Sequence, residues 1–186
     1  MDNCISARPF KSAILVDEMN IMGQLHSIGV KGVNPWFSFY EALESYLGHN
    51  AEKHFYCSNV PIELFPERHL KRAGFFNALK RASINVHEGF TQLDSEDKLV
   101  EKGVDVMVAM DINKFSYQGY TDIIVCSGDS DYVPAIEEAK ANGAKIHVVI
   151  SYNIPAAKMA AIADVVIPLD RVLKWMSSEC IVPIAI

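Results

Sequence analysis

The sequence has few cysteines, and their spacing is uninformative for metal binding. Its four cysteines are Cys4, Cys57, Cys126 and Cys180, and none lies within three residues of another, so there is no CxxC pair. This argues against a disulfide framework and suits a reducing compartment. Cys57 and Cys126 lie in or beside apolar runs and are predicted to be small buried hydrophobic residues.

Positive charge, paired histidines and long apolar runs are also scarce. With 17 Lys and Arg against 23 Asp and Glu, the net charge is -6, so no overall positive field attracts nucleic acid. The six histidines show no HExxH or i, i+4 pair, which disfavours a histidine-based zinc site. No apolar stretch approaches the roughly 18 residues of a membrane span, and residues 1–8 lack a signal-peptide core. We therefore expect a cytoplasmic protein without a membrane partner.

What the chain does have is an alternation of strand-like and helix-like segments. Its 186 residues, half of them hydrophobic, fit one domain with a substantial core. The predicted strands are 12–16, 53–57, 84–87, 122–126, 145–150 and 165–167. The predicted helices are 35–47, 67–82, 97–115 with an interruption at Gly103, 131–142, 155–163 and 170–176, the last capped by Asp170.

This alternation predicts an α/β fold: a three-layer α/β/α, Rossmann-like domain with a mainly parallel sheet of five or six strands. The domain is expected over residues 12–176, after an N-terminal extension (1–11) and before an apolar C-terminal tail (177–186). Three roles stay open for the tail: an added edge strand, a contact in a homodimer, or the cut end of a longer chain.

Acidic residues follow or precede the strand-like runs at three places. Asp17 follows one apolar run, Asp129 and Asp131 follow another, and Asp105 opens a helical run. Because parallel strands end at one edge of a sheet, these carboxylates are expected to converge there. Converging carboxylates repel one another unless a cation joins them, so a divalent-metal site is the leading hypothesis. Oxygen ligands suit Mg²⁺ or Mn²⁺ rather than zinc.

Each of these motifs also has a plain structural alternative. Asp17, Asp129 and Asp131 are typical helix caps, and Lys102 with Asp105 is typical of a solvated charged turn. Asp111 lies six residues after Asp105, about 9 Å further along a helix, and is expected to orient or cap another group rather than bind the metal.

Polar and basic residues near the acids are candidates for substrate binding. Asn20, Ser127, Ser130 and Lys102 are suited to phosphate oxygens, as donors beside the predicted metal. The segment 68–81 contains five basic residues and no acid, and its Arg72 and Lys80 are candidates for an RNA backbone. The alternative for this segment is a solvated helix face.

Taken together, these motifs resemble the NYN domains, which are bacterial LabA-like members of the PIN-like nuclease superfamily. The resemblance rests on Asp17-x-x-Asn20, on Lys102-x-Val104-Asp105 with the later Asp111, and on the string from Ser127 to Pro134. It spans most of the chain, from about Ile14 to Leu169.

The resemblance implies a ribonuclease that uses Mg²⁺ or Mn²⁺ to hydrolyse RNA, with single-stranded RNA as the expected partner. It assigns catalytic and metal-binding roles to Asp17, Asp105, Asp129 and Asp131. This chain departs from the family pattern at Glu18-Met19, where Gly-Asn is usual.

Two rival functions remain open at this stage. One is a non-catalytic NYN module that binds RNA or protein. The other is a phosphatase of the haloacid-dehalogenase type, which needs a second acid where this chain has Met19.

Overall fold

The computed structural model describes residues 10–96, 98–154 and 156–185. Most of the predicted N-terminal extension, including Cys4, lies outside these ranges. The strands are β1 (Ser12–Asp17), β2 (Val30–Val33), β3 (Glu52–Ser58), β4 (Asn85–Leu93), β5 (Leu99–Lys102), β6 (Asp122–Cys126), β7 (Lys145–Ile150), β8 (Val165–Pro168) and β9 (Ile181–Pro183). The α-helices are α1 (Glu18–Ser27), α2 (Trp36–Leu47), α3 (Pro66–Arg81), α4 (Val104–Tyr117), α5 (Val133–Ala141), α6 (Ala157–Ile162) and α7 (Leu169–Trp175).

Seven strands form the central sheet, in the order β5-β4-β3-β1-β6-β7-β8. Neighbouring strands run parallel except β5, which pairs antiparallel with β4. The predicted fold class is therefore confirmed, with one strand more than the five or six expected. β1 lies at the centre of this sheet, and every one of its residues is buried, as expected for a parallel strand covered on both faces.

Two hydrophobic layers lie on opposite faces of the sheet, and successive residues of β1 alternate between them. Ile14 and Val16 pack with the side chains of α1, α2, α3 and α7. Ala13 and Leu15 pack with those of α4, α5 and α6. This gives the three layers of an α/β/α domain, and it points Asp17, next in the alternation, toward α4 and α5. No helix within the described ranges is long and apolar enough to cross a membrane.

The predicted helix over 97–115 is wrong in its first part. Leu99–Lys102 forms β5, which pairs with residues 90–93 of β4, and α4 begins only at Val104. Gly103 separates the two elements with a φ of 83°, a backbone conformation that glycine adopts at little cost. Leu99 and Val100 are half-buried in this strand, and pairing with β4 overrides the helical pattern.

The structure also differs from the prediction at the ends of some elements and in one helix and one strand that were not predicted. The sequence did not predict α1 or β2, and β2 pairs antiparallel with β9 in a separate two-stranded sheet. The tail therefore does contribute a strand, although not to the central sheet. The 131–142 segment begins as a 3₁₀ turn (Ser130–Tyr132) before α5, and Pro168 rather than Asp170 is the cap residue of α7.

Candidate active site

Asp17 is the buried centre of the candidate site. It is the last residue of β1, is 4% exposed, and caps α1 by accepting the Asn20 backbone N–H at 3.2 Å. Burial raises its pKa above the ordinary 3.8, and the nearby Asp105 carboxylate adds to that rise, although the hydrogen bonds to Asp17 oppose it. A cation beside Asp17 would therefore stabilise its charged form.

The loop after β6 is bound directly to Asp17. The hydroxyl of the buried Ser127 donates to Oδ2 of Asp17 at 3.1 Å and accepts the backbone N–H of Asp129 at 3.1 Å. Asp129 caps the following 3₁₀ turn by accepting the backbone N–H of Asp131 at 3.0 Å. Ser130 is half-buried and Asp131 is exposed. The structure thus brings this loop to the end of β1, as the sequence predicted.

Tyr132 connects Asp17 to the first turn of α4. Its hydroxyl lies 2.9 Å from Oδ2 of Asp17 and 3.3 Å from Oδ1 of Asp105. Burial and the charge of Asp17 raise the pKa of Tyr132, so the hydroxyl keeps its proton and acts as the donor. Asp105 itself is exposed on α4. Two acids that are 88 positions apart in sequence therefore contact the same hydroxyl group.

Two further acids lie beside this group. Burial raises the pKa of Glu101, and the charges of Asp17, Glu18 and Asp105 add to the rise. The Glu18 carboxylate accepts hydrogen bonds from both terminal nitrogens of Arg72, from Nη1 at 3.2 Å and from Nη2 at 2.5 Å. The guanidinium predicted to bind RNA is therefore paired with an acid of the site.

The carboxylates of the candidate site are too far apart to bind one ion together without water. Within the described part of the chain, no three of them place ligand oxygens within 4.8 Å of one another. Mg²⁺ usually keeps several waters and binds proteins through one or two carboxylates. The oxygen donors around Asp17, together with the unfavourable burial of its charge, fit an ion of this kind, held partly through water.

A hydrogen-bonded network holds the loop after β6 against α1. The side-chain oxygen of Asn20 accepts the Gly128 backbone N–H at 2.8 Å and the Gln24 amide at 2.7 Å. Gln24 in turn accepts the backbone N–H of Ser151, after β7, at 2.6 Å. A Cβ on Gly128 would lie 3.1 Å from that of Ala156, so the close packing favours glycine here. Through its bonds to Gly128 and Gln24, Asn20 holds the loop after β6 in place beside Asp17.

The predicted basic residues do not share one surface. Lys102 ends β5, is exposed, and lies three residues before Asp105. Lys80 lines a cleft that also includes Asn85, the first residue of β4, and it pairs with Glu88 at 3.1 Å. Lys80 therefore lies at the amino edge of the sheet, whereas the acids lie at the carboxyl edge.

Sequence reasoning missed Tyr132, Glu101 and Gln24 as parts of this site. Tyr132 directly follows Asp131, and its phenol is a typical hydrogen-bond partner for buried acids, so its position was the available signal. Glu101 directly precedes Lys102, a predicted candidate, so its position was also an available signal. Asp111, which was expected to orient or cap another group, accepts the Tyr56 hydroxyl at 2.8 Å.

Three comparisons with known proteins bear on the family and the fold of the chain. No curated protein matches the chain. A solved structure of a protein of unknown function from Vibrio parahaemolyticus has a TM-score of 0.66 and 14% identity, over 93% of this chain and 96% of that one. At this identity the likeness shows the fold alone. The family model for the NYN domain matches residues 11–170, and the chain therefore belongs to the NYN domain family.

Proposed function

We propose that this protein is a cytoplasmic, metal-dependent ribonuclease that hydrolyses RNA phosphodiester bonds at the carboxyl edge of its sheet. NYN domains are a PIN-like, nuclease-type family. The observation that carries the proposal is the buried Asp17, which the Tyr132 hydroxyl joins to Asp105 and the Ser127 hydroxyl joins to the loop containing Asp129.

The four aspartates have distinct parts in this proposal. Asp17 and Asp105 would hold Mg²⁺ or Mn²⁺ directly or through water, with Asp129 and Asp131 completing the shell or holding a second ion. A metal held there would lower the pKa of a bound water and neutralise charge on the phosphate. Ser127 and Tyr132 orient Asp17 by donating to the same oxygen, Oδ2.

Single-stranded RNA is the substrate that the surroundings of the site favour. Phe90 of β4 is 60% exposed and is paired in register with Lys102. An exposed ring beside a lysine offers a base-stacking surface next to a phosphate contact. The Asn20 oxygen is engaged by Gly128 and Gln24, which leaves its Nδ2 hydrogens as donors for phosphate.

The proposal is tested by cleavage of a labelled single-stranded RNA with Mn²⁺ or Mg²⁺. Asp105→Asn should lower the rate by roughly 100-fold or more, because it removes a charge that stabilises the metal and the transition state. Asp105 is exposed, so the fold should tolerate this change. Asp170→Asn, at an exposed residue of α7 paired with Lys174 at 3.4 Å, is the matched control and should cleave normally. Equal activity in all three proteins, or activity that survives EDTA, would contradict the proposal.

The spacing of the carboxylates favours one alternative, a module that binds RNA or protein without cleaving it. No three of the described acids place ligand oxygens within 4.8 Å of one another, so the site does not hold three carboxylates ready to bind one ion. Such a module would bind RNA equally well with and without Mn²⁺ and leave it intact. Measuring binding and cleavage on the same RNA separates the two functions.

A further inference from the structure

A second group of titratable side chains lies on the same face of the sheet, toward the other end of α4. His54 of β3, His87 of β4 and Asp111 of α4 each offer one ligand atom, and these three atoms lie within 4.8 Å of one another. The two histidines line a cleft of about 860 Å³ that includes Asn85 and so opens at the amino edge. None of the acids around Asp17 belongs to this group, although His87 is level with Asp17 in the register, two strands away across β3.

The two imidazoles face each other, and each also faces a carboxylate. Nδ1 of His54 lies 2.9 Å from Nε2 of His87. The outer nitrogens are Nε2 of His54, which lies 3.6 Å from the Glu52 carboxylate, and Nδ1 of His87, which lies 3.7 Å from that of Asp111. His54 is 5% exposed, and its Nε2 has no hydrogen-bond partner within the described part of the chain.

This arrangement offers three places for an N–H proton, but two neutral imidazoles carry only two. If both outer nitrogens carry protons toward their carboxylates, the inner nitrogens meet with bare lone pairs 2.9 Å apart. If one proton lies between the rings, one outer nitrogen faces a carboxylate without a proton. A cation on the inner nitrogens removes the conflict. His54 can then donate outward from Nε2 to Glu52, which is how metal-bound histidines are usually oriented.

We propose that His54, His87 and Asp111 form a binding site for a divalent transition metal of the zinc type. Imidazole nitrogen suits Zn²⁺, Co²⁺ or Ni²⁺, whereas Mg²⁺ prefers oxygen. With a zinc–nitrogen bond of about 2.0 Å and tetrahedral angles, the two nitrogens should be about 3.3 Å apart. The rings need to separate only slightly from their present 2.9 Å. Three protein ligands leave a fourth position for water or for a ligand in the cleft.

The neighbours of Asp111 have opposite effects on such a site. The Tyr56 hydroxyl donates to Oδ2 of Asp111 at 2.8 Å and holds the carboxylate in place. The Lys114 ammonium lies 3.5 Å from Oδ1, and its side chain is 58% exposed. Lys114 competes with a metal for this carboxylate and has room to turn toward solvent. Removing its charge should therefore strengthen metal binding.

The test is a titration of the full chain, stripped of metal, with Zn²⁺ by calorimetry and with Co²⁺ by visible absorption. Wild type should bind one equivalent at this site, with a Co²⁺ spectrum typical of nitrogen ligands. His87→Ala should weaken binding by more than the roughly 10- to 100-fold that losing an outer-shell partner costs. Lys114→Gln should bind Zn²⁺ more tightly than wild type.

Two control variants give the test its specificity. His26→Gln, at an exposed histidine of α1, and Asp170→Asn, at an exposed acid of α7, should both bind Zn²⁺ like wild type. Asp111→Asn should weaken binding, and it serves as the test variant if His87→Ala does not fold. Absence of Zn²⁺ binding in wild type, or wild-type affinity in His87→Ala or Asp111→Asn, would overturn the proposal. The result does not depend on the proposed ribonuclease activity.

Discussion

At the scale of the residue, one hydroxyl group serves two carboxylates that repel each other. The Tyr132 hydroxyl lies within hydrogen-bond reach of Asp17 and of Asp105, while its ring is buried against the core. Its single proton can be given to one acid at a time, or shared between the two. The tyrosine therefore positions both acids, and it is a means of coupling β1 to α4.

Tyr132→Phe should show whether this hydroxyl matters to the reaction. The ring remains, but Asp17 loses a donor, so we expect a loss of about 1 to 3 kcal/mol in the free energy of unfolding. We also expect slower RNA cleavage, because the two acids are no longer held together. Chemical denaturation and a cleavage assay measure the two effects.

Tyr56→Phe is the matched control for that experiment. The Tyr56 hydroxyl also donates to a buried aspartate, Asp111, from within the same core layer. This variant should lose comparable stability and keep its cleavage rate. If both variants cleave RNA equally slowly, Tyr132 contributes stability alone.

At the scale of the element, the β4–β5 hairpin and the start of α4 form one tightly packed unit. A Cβ on Gly89 would lie 2.6 Å from the backbone oxygen of Lys102 and 2.8 Å from a methyl group of Val104. The position of Asp105 depends on this packing, since Val104 precedes it at the start of α4. The hairpin that the sequence failed to predict is therefore part of the site.

Gly89→Ala should destabilise the protein by about 1 to 3 kcal/mol, because the contacts include backbone that cannot turn aside. Gly74→Ala is the matched control, since a Cβ there meets nothing within 4 Å on the exposed side of α3. The control should gain roughly 0.5 to 1 kcal/mol, as alanine replaces glycine inside a helix. Urea denaturation of both variants tests the packing, and equal effects would contradict it.

The basic residues illustrate how elements separate groups that lie close in sequence. Arg72 and Lys80 lie on one helix, but Arg72 reaches Glu18 at the carboxyl edge and Lys80 lines the cleft at the amino edge. A single basic track along α3 does not follow from this arrangement. Lys102, beside Asp105 in sequence, is better placed for a phosphate.

We expect Lys102→Gln to weaken RNA binding and to reduce the slope of log affinity against log salt by about 1. Lys80→Gln should leave both quantities unchanged, because its side chain lies at the opposite edge. Fluorescence anisotropy over a range of salt concentrations distinguishes the two lysines. A larger effect at Lys80 would indicate that RNA follows α3 across the protein.

At the scale of the whole molecule, the parallel strands of the central sheet were predictable from the sequence. The antiparallel strand β5 and the small sheet of β2 and β9 were not. The apolar runs ending at Val16 and Cys126 are continuous, as buried parallel strands require, and they correctly placed Asp17 and Asp129 at one edge. The hairpin strand β5 was missed because its few residues acquire strand structure only by pairing with β4.

The histidine cluster was beyond sequence reasoning for a related reason. His54, His87 and Asp111 come from two strands and a helix, so no short spacing connects them. Motifs such as HExxH reveal ligands on one helix, whereas a sheet brings together residues more than 30 positions apart. The absence of a local motif therefore argued against a zinc site that the folded chain could still form.

The two outer strands of the central sheet determine how copies of the protein can meet. Both β5 and β8 are four residues long, and they end in Lys102 and Pro168, respectively. Short edge strands that contain a charged residue or a proline pair poorly with a strand from another chain. We therefore expect concentrated solutions to resist fibril formation, and a homodimer to bury helical faces rather than continue the sheet across two chains.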